Sequence, residues 1–167
     1  MDPTAAAPED EVTAQARELT EILQGGGVLG DIFEYEDAEY EAVYALSFDL
    51  YRQGRYSDAL KGFAFLVMVN HMDRRFHLGL ASCSQMLQRY EQAVQHYTLA
   101  SVMDMTDPLP TFHTAECLMA LGMVAEAVEA LTVVVEQSQT EARAEVRGRA
   151  EALLALVQPL DPVSASA

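Results

Sequence analysis

The stretch Tyr44–Ala59, YALSFDLYRQGRYSDA, decides how this chain folds. Val43 just before it, with Leu46, Ser47 and Leu50, recurs at spacings of three and four, the period of one face of an α-helix. The pattern breaks at Gln53-Gly54-Arg55, where a glycine can take the left-handed conformation that ends a helix. A second periodic segment follows, with Tyr56, Ala59, Leu60, Phe63 and Leu66 on one face. The stretch therefore predicts two helices joined by a tight turn.

The same pattern returns 34 residues later, and then again. Leu46 falls on Leu80, Tyr56 on Tyr90 and Val124, and Ala59 on Ala93 and Ala127. Phe63 falls on Tyr97 and Leu131, Leu66 on Ala100 and Val134, and Gly54 on Gly122. No insertion interrupts the register, so three copies are expected at about 40–73, 74–107 and 108–141. Alanine recurs where two helices must approach closely, and a large side chain recurs where a gap must be filled. This alternation at this period is the tetratricopeptide signature. The expected fold is all-α, with three tandem tetratricopeptide helix pairs forming a concave solenoid. Pro108 and Pro110 open the third copy, where a missing N–H costs least.

A stack of repeats leaves two ends that need covering. A C-terminal capping helix is expected over 142–158, with Val146, Ala150, Leu153 and Val157 inward and Arg143, Arg147 and Arg149 outward, followed by a disordered tail at 159–167. Residues 1–39 form an acidic segment with an amphipathic helix (Val12, Ala16, Leu19, Ile22, Leu23) and a glycine hinge, Gly25-Gly26-Gly27. That helix either caps the first repeat or pairs with a second copy of itself. Of the methionines, Met68, Met72, Met86, Met103, Met105, Met119 and Met123 lie in the repeats, where most are expected to fill the core.

Charge narrows the function. The chain of 167 residues carries a net −16, of which residues 1–43, with twelve acidic side chains and only Arg17, account for −11. Such a charge repels phosphate backbones, which argues against nucleic acid as a partner. The acidic segment serves either solubility or partner choice. No apolar run approaches the ~18 residues that span a bilayer. Met1–Asp10 has no cationic or apolar stretch of the kind that opens a secretory signal, so cytoplasmic residence and no membrane insertion are expected.

The first helix of the first repeat carries a second apolar stripe, Tyr44, Phe48 and Tyr51, roughly 120° around from the first. First helices of such repeats line the concave side. Adding 34 projects the stripe onto Leu78, Ser82 and Gln85, and adding 34 again onto Phe112, Glu116 and Met119, with His113 beside Phe112. The projected groove is apolar at both ends and polar in the middle, which suits an extended peptide whose backbone can bond to Ser82 or Gln85. Alternatively, the N-terminal segment or a dimer partner covers the aromatic stripe.

Catalytic and metal chemistry find little support. Gly25, Gly27 and Gly30 match G-x-G-x-x-G only formally, because a helix precedes them where a dinucleotide site needs a strand. His71, Asp73 and His77 fall at a repeat junction where polar residues belong, and no metal or other cofactor is expected. Cys83 and Cys117 stand 34 residues apart in adjacent repeats, too far for a disulfide at ~8–10 Å between helix layers, and read as small buried apolar residues.

Several stretches resemble the class II chaperones of bacterial type III secretion, the low-calcium-response H family. They are Leu23-Gln24-Gly25-Gly26-Gly27, Tyr44–Ala59, Asp73-Arg74-Arg75-Phe76-His77-Leu78-Gly79-Leu80, Met103-Asp104-Met105 and Phe112-His113-Thr114-Ala115-Glu116-Cys117-Leu118. The likeness covers about residues 15–140. It implies a bacterial cytoplasmic chaperone without ATP or enzymatic activity. Such a chaperone holds two hydrophobic, pore-forming translocator proteins separately before export. The resemblance places an extended N-terminal client segment in the groove at Tyr44, Phe48, Tyr51, Leu78 and Phe112. It also implies homodimerisation through Val12, Leu19, Ile22 and Leu23. A general tetratricopeptide scaffold and a transcriptional co-regulator of secretion genes remain alternatives.

Overall fold

Each helix pair closes on the same turn. In the computed structural model, which describes residues 28–157 together with Thr13, Arg17, Thr20 and Gly25, the backbone at Gly54, Gln88 and Gly122 has φ of 76°, 58° and 76°. Arg55 N–H donates to the Leu50 carbonyl and Gly54 N–H to that of Tyr51, both at 2.9 Å. Arg89 and Gln88 repeat the arrangement on Ser84 and Gln85, and Met123 and Gly122 on Leu118 and Met119. These paired bonds satisfy carbonyls that a helix end leaves open. The second copy makes the turn with glutamine where the others have glycine.

The turns separate α1 (Leu29–Ile32), α2 (Asp37–Arg52), α3 (Tyr56–Val69), α4 (Arg74–Met86), α5 (Tyr90–Met103), α6 (Leu109–Ala120), α7 (Val124–Gln137) and α8 (Ala144–Val157). A 3₁₀ turn, Glu141–Arg143, precedes α8, and no strand occurs among the described residues. From α2 onward each helix packs on the next, and α2 also touches α4, giving a stack in which neighbours supply most contacts. Val12, Leu19, Ile22 and Leu23 lie outside the described residues, as does the segment after Val157.

The 34-residue register is also the register of burial. Ala59, Ala93 and Ala127, then Phe63, Tyr97 and Leu131, then Leu66, Ala100 and Val134, are each no more than 2% exposed. Cys83 and Cys117 are free and fully buried. Burial raises both thiols, Cys83 to about 11 and Cys117 to about 12, the latter helped by Glu116, which disfavours the reactive thiolate.

Three expectations need correction. Leu46, placed in the core stripe, is 62% exposed, whereas its counterpart Leu80 is buried. The reason is position in the stack: α4 packs on α3 and α6 on α5, but α2 has no preceding second helix of a pair among the described residues. The methionines are mostly not core filler. Met68, Met72, Met86, Met103, Met105 and Met123 are all exposed, since they sit on an outer helix face, at helix ends or in connecting loops, and only Met119 is half-buried. Finally, Arg143 and Arg147 do not simply face outward. Arg143 donates to the Gln137 carbonyl at 2.9 Å and Arg147 to that of Ser138 at 3.1 Å, so both cap the negative end of α7.

Candidate peptide-binding groove

Tyr44, Phe48 and Tyr51 lie along one face of α2, as their spacing requires, and with α4 they enclose a cavity of about 160 Å³. Its other lining residues are Phe63, Arg75, Leu78, Gly79 and Ser82. Tyr44 and Phe48 stack with ring centroids 6.2 Å apart and planes 11° from parallel. Behind them Phe63 meets Tyr44 edge-on at 5.9 Å. Gly79 makes room for that ring, because a Cβ there would stand 2.3 Å from Phe63. Phe48 stays 46% exposed, an aromatic ring held half out of its own protein at the lip of an apolar pocket.

One cation sits at this pocket. Arg75 lies 5.0 Å over the Tyr44 ring and pairs with Glu41 at 2.6 Å and Asp73 at 2.7 Å. Hydrogen bonds to those two carboxylates raise its already high pKa further, so it is permanently charged. The Glu41 bridge links α2 to α4 beside the pocket.

Beyond Ser82 the wall turns polar. Tyr97, from α5, reaches between the first-layer helices and donates to Gln85 Oε1 at 2.8 Å, with Ser82 Oγ 3.1 Å away. Gln85 Nε2 donates to Glu116 at 3.3 Å, and His113 Nδ1 meets the same carboxylate oxygen at 2.8 Å. Arg149 approaches Glu116 at 3.7 Å from α8. Burial pushes the Glu116 carboxyl up, but His113, Gln85 and Arg149 outweigh it and hold the group below its ordinary value, hence ionised. Burial raises the Tyr97 phenol, which stays a neutral donor.

The far end differs from its projection. Phe112, expected on the groove wall, is 1% exposed and packs with Ala115, Leu131, Val134, Val146 and Ala150. The guanidinium of Arg149 lies 4.4 Å over its ring. Capping helix α8 therefore seals the pocket that the register places there, and Met119 is half-buried against the same cluster. Tyr44, Phe48, Tyr51, Leu78 and Ser82 line the cavity, and hydrogen bonds through Tyr97 link Ser82 to Gln85, and Gln85 to Glu116 and His113. Sequence reasoning missed Phe63 as pocket wall, the Tyr97 hydroxyl, Arg75 and Arg149. A signal for Arg75 existed, since Glu41 and Arg75 stand one 34-residue period apart with opposite charge. A larger cavity, about 560 Å³, lies between the α5–α6 loop and the start of α8. It is lined by charges of both signs, Asp104, Asp107, Arg143, Glu145 and Arg149, and holds no aromatic anchor.

The fold is a tetratricopeptide stack in which an aromatic pocket adjoins a polar hydrogen-bonded strip. The tetratricopeptide repeat family matches residues 40–70, the first helix pair. Low calcium response locus protein H of Yersinia pestis is 38% identical over 113 residues, 68% of this chain and 67% of that protein. The translocator chaperone SycD of Yersinia enterocolitica, solved with a peptide of the translocator YopD, superposes with a TM-score of 0.70 at 35% identity, covering 74% of this chain and 95% of that one. SycD has also been solved as an alternative dimer. PcrH of Pseudomonas aeruginosa, solved with the chaperone binding region of PopD, gives a TM-score of 0.71 at 36% identity, covering 75% of this chain and 95% of that one. PcrH has been solved separately with the chaperone binding region of PopB, at a TM-score of 0.67. The chain belongs to this family of type III secretion translocator chaperones.

Proposed function

We propose that this protein holds two translocator proteins of a type III secretion system, one at a time, soluble in the bacterial cytoplasm before export. An extended segment of the client docks in the concave groove. Tyr44, Phe48, Tyr51 and Leu78 take its apolar anchor, and Ser82, Gln85 and His113, with Glu116 holding the last two, serve its backbone. The observation that carries this reading is the stacked Tyr44–Phe48 pair at the lip of an apolar pocket, with Phe48 left half exposed. PcrH, solved with the chaperone binding region of PopD and separately with that of PopB, supports two clients for one chaperone. The protein acts by binding alone, without cofactor or catalysis. It dimerises through Val12, Leu19, Ile22 and Leu23, and no helix among the described residues is long and apolar enough to cross a membrane.

Co-expression with a translocator tests the proposal. The client is expected in the soluble fraction with the chaperone and in the pellet without it. Tyr44→Ala with Phe48→Ala is expected to weaken binding by about 2–4 kcal/mol by calorimetry, the usual cost of losing anchor aromatics, while circular dichroism stays helical. A client equally soluble alone would point instead to a scaffold, and unchanged affinity in the double variant would move the site elsewhere.

A further inference from the structure

With the His113 imidazole neutral, the polar middle of the groove admits one arrangement of its protons. Glu116 is ionised, and a carboxylate only accepts hydrogen bonds. The Gln85 atom facing it must then be the amide nitrogen, which leaves Oε1 to accept from Tyr97. A phenol has one proton, and Tyr97 gives it to Gln85. The 3.1 Å contact between Ser82 and Tyr97 is therefore a donation from Ser82. On the other side His113 Nδ1, 2.8 Å from the carboxylate, must carry a proton. In the neutral imidazole, Nε2 then keeps its lone pair. One carboxylate thus dictates the direction of every hydrogen bond in the chain across α4, α5 and α6.

What this chain leaves unused follows by subtraction. Ser82 Oγ keeps acceptor capacity, Gln85 keeps a second amide hydrogen, and His113 Nε2, with the imidazole neutral, is an acceptor. The strip therefore reads acceptor, donor, acceptor from α4 to α6. Along one edge of an extended peptide the groups run N–H and C=O of one residue, then N–H of the residue two further on. The two series are complementary. A slip of one residue would turn those groups to the opposite edge.

We propose that Glu116 and Tyr97 act as positioning residues that set the hydrogen-bond polarity of the groove floor. Ser82 and His113 then accept client N–H groups, Gln85 donates to a client carbonyl, and together they fix the client's register. Reading the backbone and not the side chains suits a groove that serves two clients of different sequence. This inference rests on the groove reading above. Tyr97 itself is 2% exposed and acts only through Ser82 and Gln85.

The test uses a synthetic peptide of the PopD chaperone binding region and a set of the same peptide singly N-methylated at each position. Affinities are measured by calorimetry against the full chain, Tyr97→Phe and Ser82→Ala. Tyr97→Phe removes one oxygen and keeps the ring that stacks on His113 at 5.3 Å. With the unaltered protein, N-methylation at two positions spaced two residues apart is expected to weaken binding about tenfold each, with smaller effects elsewhere. In Tyr97→Phe the penalty at the position facing Ser82 should shrink to less than about threefold, since Ser82 no longer has to give its proton to Tyr97, while the penalty facing His113, which Glu116 holds, should stay. Ser82→Ala should erase one of them. Equal penalties at all positions, or the same two in Tyr97→Phe as in the parent, overturn the inference and leave the groove standing. If the unmethylated peptide does not bind at all, the groove reading falls with it.

Discussion

Tyr44 and Phe112 occupy the same register position two periods apart, yet the molecule treats them oppositely. At the first repeat the ring lines an open pocket beside half-exposed Phe48. At the third it is sealed in the core, roofed by Arg149 and flanked by Val146 and Ala150 of α8. A repeat specifies where a side chain points. Whether that direction ends in solvent depends on what packs there, and α8 packs at one end only. The groove is therefore a pocket with a polar extension, anchored at one end.

The contrast is sharpest when each ring is removed. Phe112→Ala should cost about 3–5 kcal/mol of stability, the range for a buried aromatic whose cavity cannot collapse. Thermal unfolding should show it as a large drop in Tm, with client affinity near normal at temperatures where the variant is still folded. Tyr44→Ala with Phe48→Ala should do the reverse, losing the client and keeping most of the Tm. If Phe112→Ala loses affinity while Tm is unchanged, the two ends are alike after all, and α8 must open to admit a client.

The middle repeat carries a different vulnerability. His77 Nε2 donates to the His71 carbonyl at 2.9 Å, so the 3.1 Å contact between His77 Nδ1 and His96 Nδ1 holds a single proton when both rings are neutral. A second proton taken at His77 Nδ1 would set two N–H groups head to head, and one taken at His96 would charge a ring half-buried beside it. Burial, then the neighbouring His77, lowers the His96 pKa below its ordinary 6.5. The sign follows directly: the unfolded chain takes up a proton near pH 6.5 that the folded chain resists. This contribution is full above that pH and is lost as pH falls below it, towards the folded-state pKa. Tm should fall more steeply below pH 6.5 in the parent than in His96→Gln. Parallel Tm–pH curves would show that the pair does not govern acid sensitivity.

Much of this was legible in sequence, and the limits have physical causes. The helix pairs, the turns at Gly54 and Gly122 and the buried ladder from Ala59 to Val134 follow from local periodicity, because neighbouring repeats supply the contacts that bury them. The cluster of Tyr44, Phe48, Tyr51 and Leu78 followed from the same arithmetic. Leu46 and Phe112 were misjudged because their exposure depends on the ends of the stack, where periodicity stops. The hydroxyl of Tyr97 was invisible for another reason: its position marks a core ring, and nothing in the spacing says that the ring's tip emerges between two other helices to bond Gln85. Arg143 and Arg147 read as surface charge because capping of a carbonyl across a loop leaves no periodic trace.

The smallest effect tests whether the asymmetry of the ends extends to their turns. Gly54, Gln88 and Gly122 share one backbone conformation, and at neither glycine would an added Cβ meet any atom within 4 Å. Only the positive φ opposes a side chain there, at a cost of roughly 1–2 kcal/mol for an L-residue. Gln88→Gly removes that cost but gives the unfolded chain more freedom, so a net gain of about 0.5–1 kcal/mol is expected, a Tm rise of about 1–4 °C. Gly54→Gln and Gly122→Gln should each lose a similar amount. If the two losses are equal, the first and third repeats are built alike in their backbones, and their difference lies in what α8 covers. A markedly larger loss at Gly54 would mean instead that the turn beside the open pocket carries strain that its sealed counterpart does not.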